Sequence, residues 1–377
     1  MPPLNFRLPG PTPLPPAVLD AMQAPMISHR GAEFKARYRE ILRLARLAHR
    51  TEGDVLTWPA SGSAGWEAAI VNLLSPGDPV LATVCGDFGE RFAKVAVAFG
   101  LDVRRLDVEP GRAITPDLLT QALDANPGVK AVFVAHNETS TGVTNPLRDL
   151  ARIIRDHGAL VVVDAVSGAG ALPLETDAWG LDFVFSGSQK AWMCPPGLLI
   201  AAVGPRAWAA HKTARFPRFY WDLTTAKSQA AEGMTPTTPS LTLLFAFHAA
   251  LTLIEDEGLE AVWARHRSLG DLTRTGIADI GLALFADPAH ASDSVTAFRP
   301  PEGVAASAFV AAVKRQGTEL QVGQGDLREV LVRIGHMGWA HEPDLRDALA
   351  AIGNALPDFG APSLATASAG VPAAITA

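Results

Sequence analysis

Cysteine is almost missing from this chain: only Cys85 and Cys194 occur among 377 residues. Two thiols are too few for a disulfide framework or a cysteine metal cluster, and a reducing compartment is the simplest setting. Blocks of like charge are missing too, since 32 basic and 39 acidic residues are interspersed to a net charge of −7. That leaves no basic stripe for nucleic acid and no polybasic membrane patch. The opening MPPLNFRLPGPTPLPP has neither the basic segment nor the apolar run of a secretory signal. Apolar stretches such as Leu241 to Ile254 are short for a membrane span and carry His248. These absences place the expected protein in the cytoplasm.

What is present is apolar. The chain is 48% hydrophobic and 19% charged, which leaves apolar surface to cover at a subunit interface; an alanine- and leucine-rich core accounts for the same figures. The length exceeds one compact domain. An N-terminal arm is expected over residues 1–16, a large domain over 17–255, a smaller C-terminal α+β domain over 256–360, and a flexible tail over 361–377, where periodicity is lost.

Between the arm and the tail, short apolar runs alternate with helical patterns. The spacing predicts helices over Ala17 to Met22 and Phe34 to Arg50, the latter with Ile41, Leu44, Ala45 and Ala48 on one stripe. Strands are expected over 55–58, 79–84, 103–106, 131–135, 160–163, 183–185 and 198–203, with helices over 65–73, 88–99, 116–124 and 147–157. Alternation of this kind implies an α/β fold with a mostly parallel sheet covered on both faces. Such sheets bind ligands at the carboxyl ends of their strands. Residues 212–239 read as an aromatic and polar connection ahead of a long helix near Ser240. Strands follow over 295–298, 320–322 and 330–334.

Three clusters fall just after expected strands. Ser61, Gly62 and Ser63 precede a helix, where small residues and free N–H groups suit an anion; a serine-rich helix cap is the plainer reading. The segment matches neither GxGxxG nor GxxxxGK[ST]. Asp164 ends the apolar run VVVD, a costly place for a carboxylate without a cation or donors. It could cap a helix, pair with a protonated ring nitrogen, or join His136 and Glu138 around a metal. Lys190, in FVFSGSQKAWMCPPG, follows the strand ending at Phe185. A partly desolvated amine there can serve as nucleophile or base. Together the three meet the needs of pyridoxal phosphate: an amine for its aldehyde, a partner for its ring nitrogen and a phosphate seat.

VDAV, FSGSQKAWMCPPG, the upstream SGS and HNETSTG at His136 to Gly142 resemble the class V aminotransferases of pyridoxal-phosphate fold type I. More narrowly they resemble the alanine/serine–glyoxylate (pyruvate) aminotransferases, and the likeness runs from about Pro9 to Pro357. The resemblance implies Lys190 as the cofactor-bearing lysine and Asp164 as the partner of the ring nitrogen. It implies Ser61, Gly62, Ser63 and Gln189 at the phosphate, Phe88 stacked on the ring, Val166 on the opposite face and Thr139 at the phenolic oxygen. Arg333, in VLVRIGHMG, would clamp the substrate carboxylate, and Gly10 would lie beside the substrate; on its own, an arginine in such a strand more often makes a structural ion pair. Thr237 would reach the phosphate of a partner subunit in a homodimer, with Met234 standing where several relatives carry tyrosine and unable to donate a hydrogen bond.

The implied activity is transamination between serine or alanine and glyoxylate or pyruvate. Ureidoglycine–glyoxylate transamination uses the same framework, and a non-catalytic binding role is the alternative of another class. A cysteine desulfurase is disfavoured because no cysteine follows Cys194. No metal is expected: the spacing of His29, His136, His211 and His336 is irregular.

Overall fold

Apolar runs bounded by turn residues become strands here because most of them are buried on both faces. The structure, a computed structural model that describes residues 4–360, arranges seven of them in one sheet. They are β1 (Asp54–Trp58), β2 (Pro79–Val84), β3 (Asp102–Asp107), β4 (Ala131–Ala135), β5 (Leu160–Asp164), β6 (Phe183–Gly187) and β7 (Leu199–Val203), in the spatial order β1-β7-β6-β5-β4-β2-β3. Strands β4 to β7 have no exposed position. The edge strand β3, DVRRLD, is largely solvent-facing and carries Arg104 and Arg105, charges that discourage pairing with another chain.

The sheet is parallel except at β7, which runs antiparallel to both β6 and β1. Only residues 188–198 separate β6 from β7, too short a connection for the helical crossover that parallel neighbours need. That tight return holds Lys190 at the carboxyl end of β6.

Helices cover both faces. On one, Ile41 and Leu44 of Ala32–His49, Leu150 and Ile154 of Leu147–Asp156, and Phe247 and Leu251 of Leu241–Glu257 pack together. On the other, Trp66 and Ile70 of Ala64–Leu73 meet Phe92 of Asp87–Ala98. Phe92 stacks on Phe133 of β4 with ring centroids 4.1 Å apart.

A separate core of Leu269, Ile277, Phe309, Ile334 and Ile352 lies with a three-stranded antiparallel sheet of Val295–Phe298, Val332–Gly335 and Gln321–Val322. Helix Leu259–Asp279 joins the two regions, with Leu259 and Val262 in the first core and Leu269 and Ile277 in the other. The chain start crosses between them as well. Asn5–Phe6 pairs in parallel with Thr318–Glu319, and helix Pro16–Ala21 then packs on Leu241–Glu257.

Most expected elements are found within one or two residues of their bounds. Two expectations need correction. The connection over 212–239 contains a helix, Leu223–Ala231, capped by the Asp222 side chain, which accepts from Thr225 N; it buries only Leu223 and Ala226, so it has little apolar stripe to read. The strand expected over 320–322 is two short pieces, because the chain leaves the N-terminal arm at Glu319 and joins the other sheet at Gln321. The tail over 361–377 lies outside the described residues. Among those described, no helix is long and apolar enough to cross a membrane.

Candidate active site

Strand ends and the turns after them bring the site together. Asp164 is the last residue of β5 and is buried. Its Oδ1 accepts from Val166 N at 2.9 Å and its Oδ2 from the indole Nε1 of Trp66 at 2.9 Å. Burial pushes the carboxyl up to about 6, against the pull of those two donors; Glu138 adds to the rise and Lys190 opposes it.

The Lys190 turn is held rigid by its own polar groups. Ser188 Oγ donates to Pro195 O and accepts from Leu198 N, while Trp192 Nε1 donates to Ser186 Oγ. Lys190 is 8% exposed. Burial first, then the positive charge of Arg333, brings its ammonium down to about 8, with Asp164 opposing. Its Nζ donates to the carbonyl of Pro9. Gly10 has φ +120°, and a methyl there would sit 2.6 Å from Lys190 Cδ and 2.8 Å from Nζ. Glycine is therefore required twice over, by conformation and by contact. Thr12 fastens the arm, with its N–H on Gln189 O and its hydroxyl on Lys190 O.

Ser61, Gly62 and Ser63 link β1 to helix Ala64–Leu73. Ser63 is the N-cap but its side chain makes no capping bond, so the plain helix-cap reading fails and both exposed serine hydroxyls remain available. A Cβ on Gly62 would meet Val166 Cγ2 at 2.8 Å, and one on Gly187 would meet Gln189 Oε1 at 2.9 Å and Gly62 Cα at 3.3 Å. Gln189 Oε1 is buried without a partner. Gly62, Val166, Gly187 and Gln189 thus converge on one small-residue cradle.

The HNETSTG loop supplies the floor. Thr139 Oγ1 and Ser167 Oγ share a hydrogen bond of 2.6 Å, braced by Asn137 Nδ2 on Ser167 Oγ. Phe88 is half-buried at the start of helix Asp87–Ala98, with the Arg91 guanidinium 5.3 Å over its ring. Arg333, 4% exposed in strand Val332–Gly335, donates from Nε to Val322 O and from Nη1 to Thr139 O. No carboxylate pairs with it among the described residues, so the structural ion pair is not found. The rest of its five-donor fork is unused. Burial lowers it to about 10, opposed by Glu138 and Asp87.

Thr237 stands apart. It precedes helix Leu241–Glu257, its Oγ1 is buried without a partner, and no hydrogen bond among the described residues ties it to the Lys190 cluster. Met234 N donates to Gln229 O, and its side chain is half-buried in the same loop.

Two residues carry more than the sequence reading gave them: Glu138, weighed there only as a metal ligand, and Trp66, not weighed at all. Glu138 is fully buried, and accepts from Phe88 N, Gly89 N, Ser140 N and Ser140 Oγ. Burial pushes its carboxyl up. Gly86 must be glycine to admit it, since a Cβ would lie 2.5 Å from Glu138 Cγ. With both oxygens so occupied, Glu138 is not free to join His136 and Asp164 around a metal, and no set of three such ligands occurs among the described residues. Trp66 is the other. The signal for each was a large or charged residue inside a segment otherwise built to be buried.

The chain matches the aminotransferase class-V family over residues 5–336. It belongs to that family and has its α/β architecture, that of pyridoxal-phosphate fold type I. It is 40% identical over 95% of its length to the soluble hydrogenase 42 kDa subunit of Anabaena cylindrica, covering 94% of that protein. It is 37% identical over 94% of its length to the serine–glyoxylate aminotransferase of Methylorubrum extorquens, covering 92% of it. Among solved structures, alanine–glyoxylate aminotransferase from Nostoc sp. superposes with a TM-score of 0.90 at 30% identity, over 94% of this chain and 96% of that one. The chain is an aminotransferase by family, and the family implies pyridoxal phosphate.

Proposed function

We propose that the chain transfers an amino group from serine or alanine to glyoxylate or pyruvate, using pyridoxal phosphate held at Lys190. The single observation that carries this reading is the buried Lys190 amine at the carboxyl end of β6, near enough to the buried Asp164 carboxylate and the Arg333 guanidinium for both charges to act on it. The residues suit the cofactor. Ser61, Gly62, Ser63 and the N–H of the Gln189 amide would take the phosphate, Phe88 and Val166 the two ring faces, and Thr139 the phenolic oxygen. In a homodimer, the buried hydroxyl of Thr237 would gain its partner at the phosphate of the second copy.

When bound, pyridoxal phosphate supplies an aldehyde for the amine and a ring that accepts negative charge from the substrate Cα. The chain supplies the rest. Arg333 holds the α-carboxylate with the donors that the Val322 and Thr139 carbonyls leave free, and its planar fork fixes orientation. Freed from the aldehyde carbon by the substrate's amine, Lys190 Nζ would take the proton from Cα and return it to the carbon two bonds away. Its lowered proton affinity suits it to do both near neutral pH. Asp164 would keep a proton on the ring nitrogen. The arm and the Lys190 turn exclude water from the amine.

Serine and glyoxylate are favoured by the names of three relatives at 33–37% identity, while others at 36% and 30% are named for L-aspartate with glyoxylate and for pyridoxamine with pyruvate. The hydrogenase name of another relative has no support in the residues, since two buried cysteines cannot supply a thiolate set for a redox metal cluster.

Borohydride reduction of the yellow protein followed by peptide mapping should place the cofactor on Lys190, and Lys190→Ala should abolish transamination. Mixing the yellow protein with serine, alanine, glycine and ureidoglycine should bleach it fastest with serine or alanine. A faster response to ureidoglycine would reassign the donor, and silence from all four would end the small-substrate reading.

A further inference from the structure

We propose that Trp66 is a positioning residue for Asp164, its indole N–H holding the carboxylate ionised and aimed at the site of the ring nitrogen; this rests on the function proposed above. Trp66 is 5% exposed, sits in the first turn of helix Ala64–Leu73 and packs against Phe92 with ring centroids 6.1 Å apart. Its Nε1 lies 2.9 Å from Asp164 Oδ2. An indole N–H only donates, and it does not give up its proton in the working pH range. It therefore favours the charged carboxylate without neutralising it, as a lysine or arginine would. Val166 N does the same at Oδ1, and each oxygen keeps acceptor capacity for a further proton donor.

The groups around Asp164 make this donor matter. Lys190 favours the charged form and Glu138 disfavours it. His136, whose N–H donates to the Asp164 carbonyl, is held neutral by burial, at about 4. No cationic side chain hydrogen-bonds the carboxylate among the described residues. The same helix begins directly after Ser61 to Ser63, so one rigid element sets both the anion loop and the carboxylate.

The test begins with the cofactor-free chain carrying ¹³C-carboxyl aspartate, with the Asp164 signal assigned by its loss in Asp164→Asn. Trp66→Phe should raise the Asp164 midpoint by about one pH unit, the scale of losing one hydrogen bond to the charged form. In the loaded enzyme it should lower kcat about tenfold at nearly constant KM, and that loss should vanish in the Asp164→Asn background. Because Trp66 also packs in the core, benzothienylalanine at position 66, which keeps the ring shape and lacks the N–H, should reproduce both effects. An unchanged Asp164 midpoint in that isostere, or an equal rate loss with and without the Asp164 carboxylate, would overturn the proposal. A shifted midpoint in a chain that never binds pyridoxal phosphate would leave the tuning intact and remove the cofactor reading instead.

Discussion

Glu138 and Asp164 are two buried carboxylates in one site, built to opposite ends. Glu138 is enclosed: a helix start and its own loop give it four donors, and Gly86 is kept bare so that it fits. Asp164 receives only two donors, both neutral, and retains room for a third partner. A carboxylate whose acceptor sites are filled by backbone is architecture, whereas one left partly open in a dry place is reactive. Number and kind of donors, rather than burial, separate the two.

The sharpest way to break this comparison is to remove each side chain in turn. Glu138→Ala should strand four donors and the nearby positive charge of Arg333, and cost about 3–5 kcal/mol in denaturant unfolding. Asp164→Asn should instead cost no stability at neutral pH while transamination falls at least about 100-fold. A matching stability loss in both variants would dissolve the distinction.

The pH response sharpens it further. Asp164 has its folded pKa raised to about 6 from an ordinary 3.8, so the folded state binds more protons between those values. Its contribution to stability is present below pH 3.8 and is lost as pH rises through 6. Melting of cofactor-free wild type should accordingly fall behind Asp164→Asn as pH goes from 4 to 6. Lys190 shifts the other way, down to about 8 from 10.5. Only the neutral amine attacks an aldehyde, so the rate of pyridoxal phosphate attachment in stopped-flow should climb with pH and level off near 8 instead of above 10. The smallest effect is expected at Ser63→Ala, which loses no capping bond and should change the melting temperature little while weakening retention of the cofactor.

Strand ends were legible because apolar runs stop where the chain meets solvent or chemistry. Asp164 and Lys190 each interrupt such a run, so their chemical content could be read locally. The partners of Asp164 could not. Trp66 lies 98 residues away and Phe88, which binds Glu138, 50 residues from it; nothing in a local pattern reports which distant strand end will be adjacent. The direction of β7 was readable in principle from the short 188–198 connection. Helix Leu223–Ala231 was hidden because its buried face is only two residues wide.

The beginning of the chain is masonry of the proposed reaction chamber. Residues 5 and 6 are stitched to Thr318–Glu319, and Pro9 and Gly10 lie against the Lys190 amine. A protease nick after Arg7, or a bulky tag fused just ahead of Phe6, would therefore act as a lesion at the heart of the enzyme.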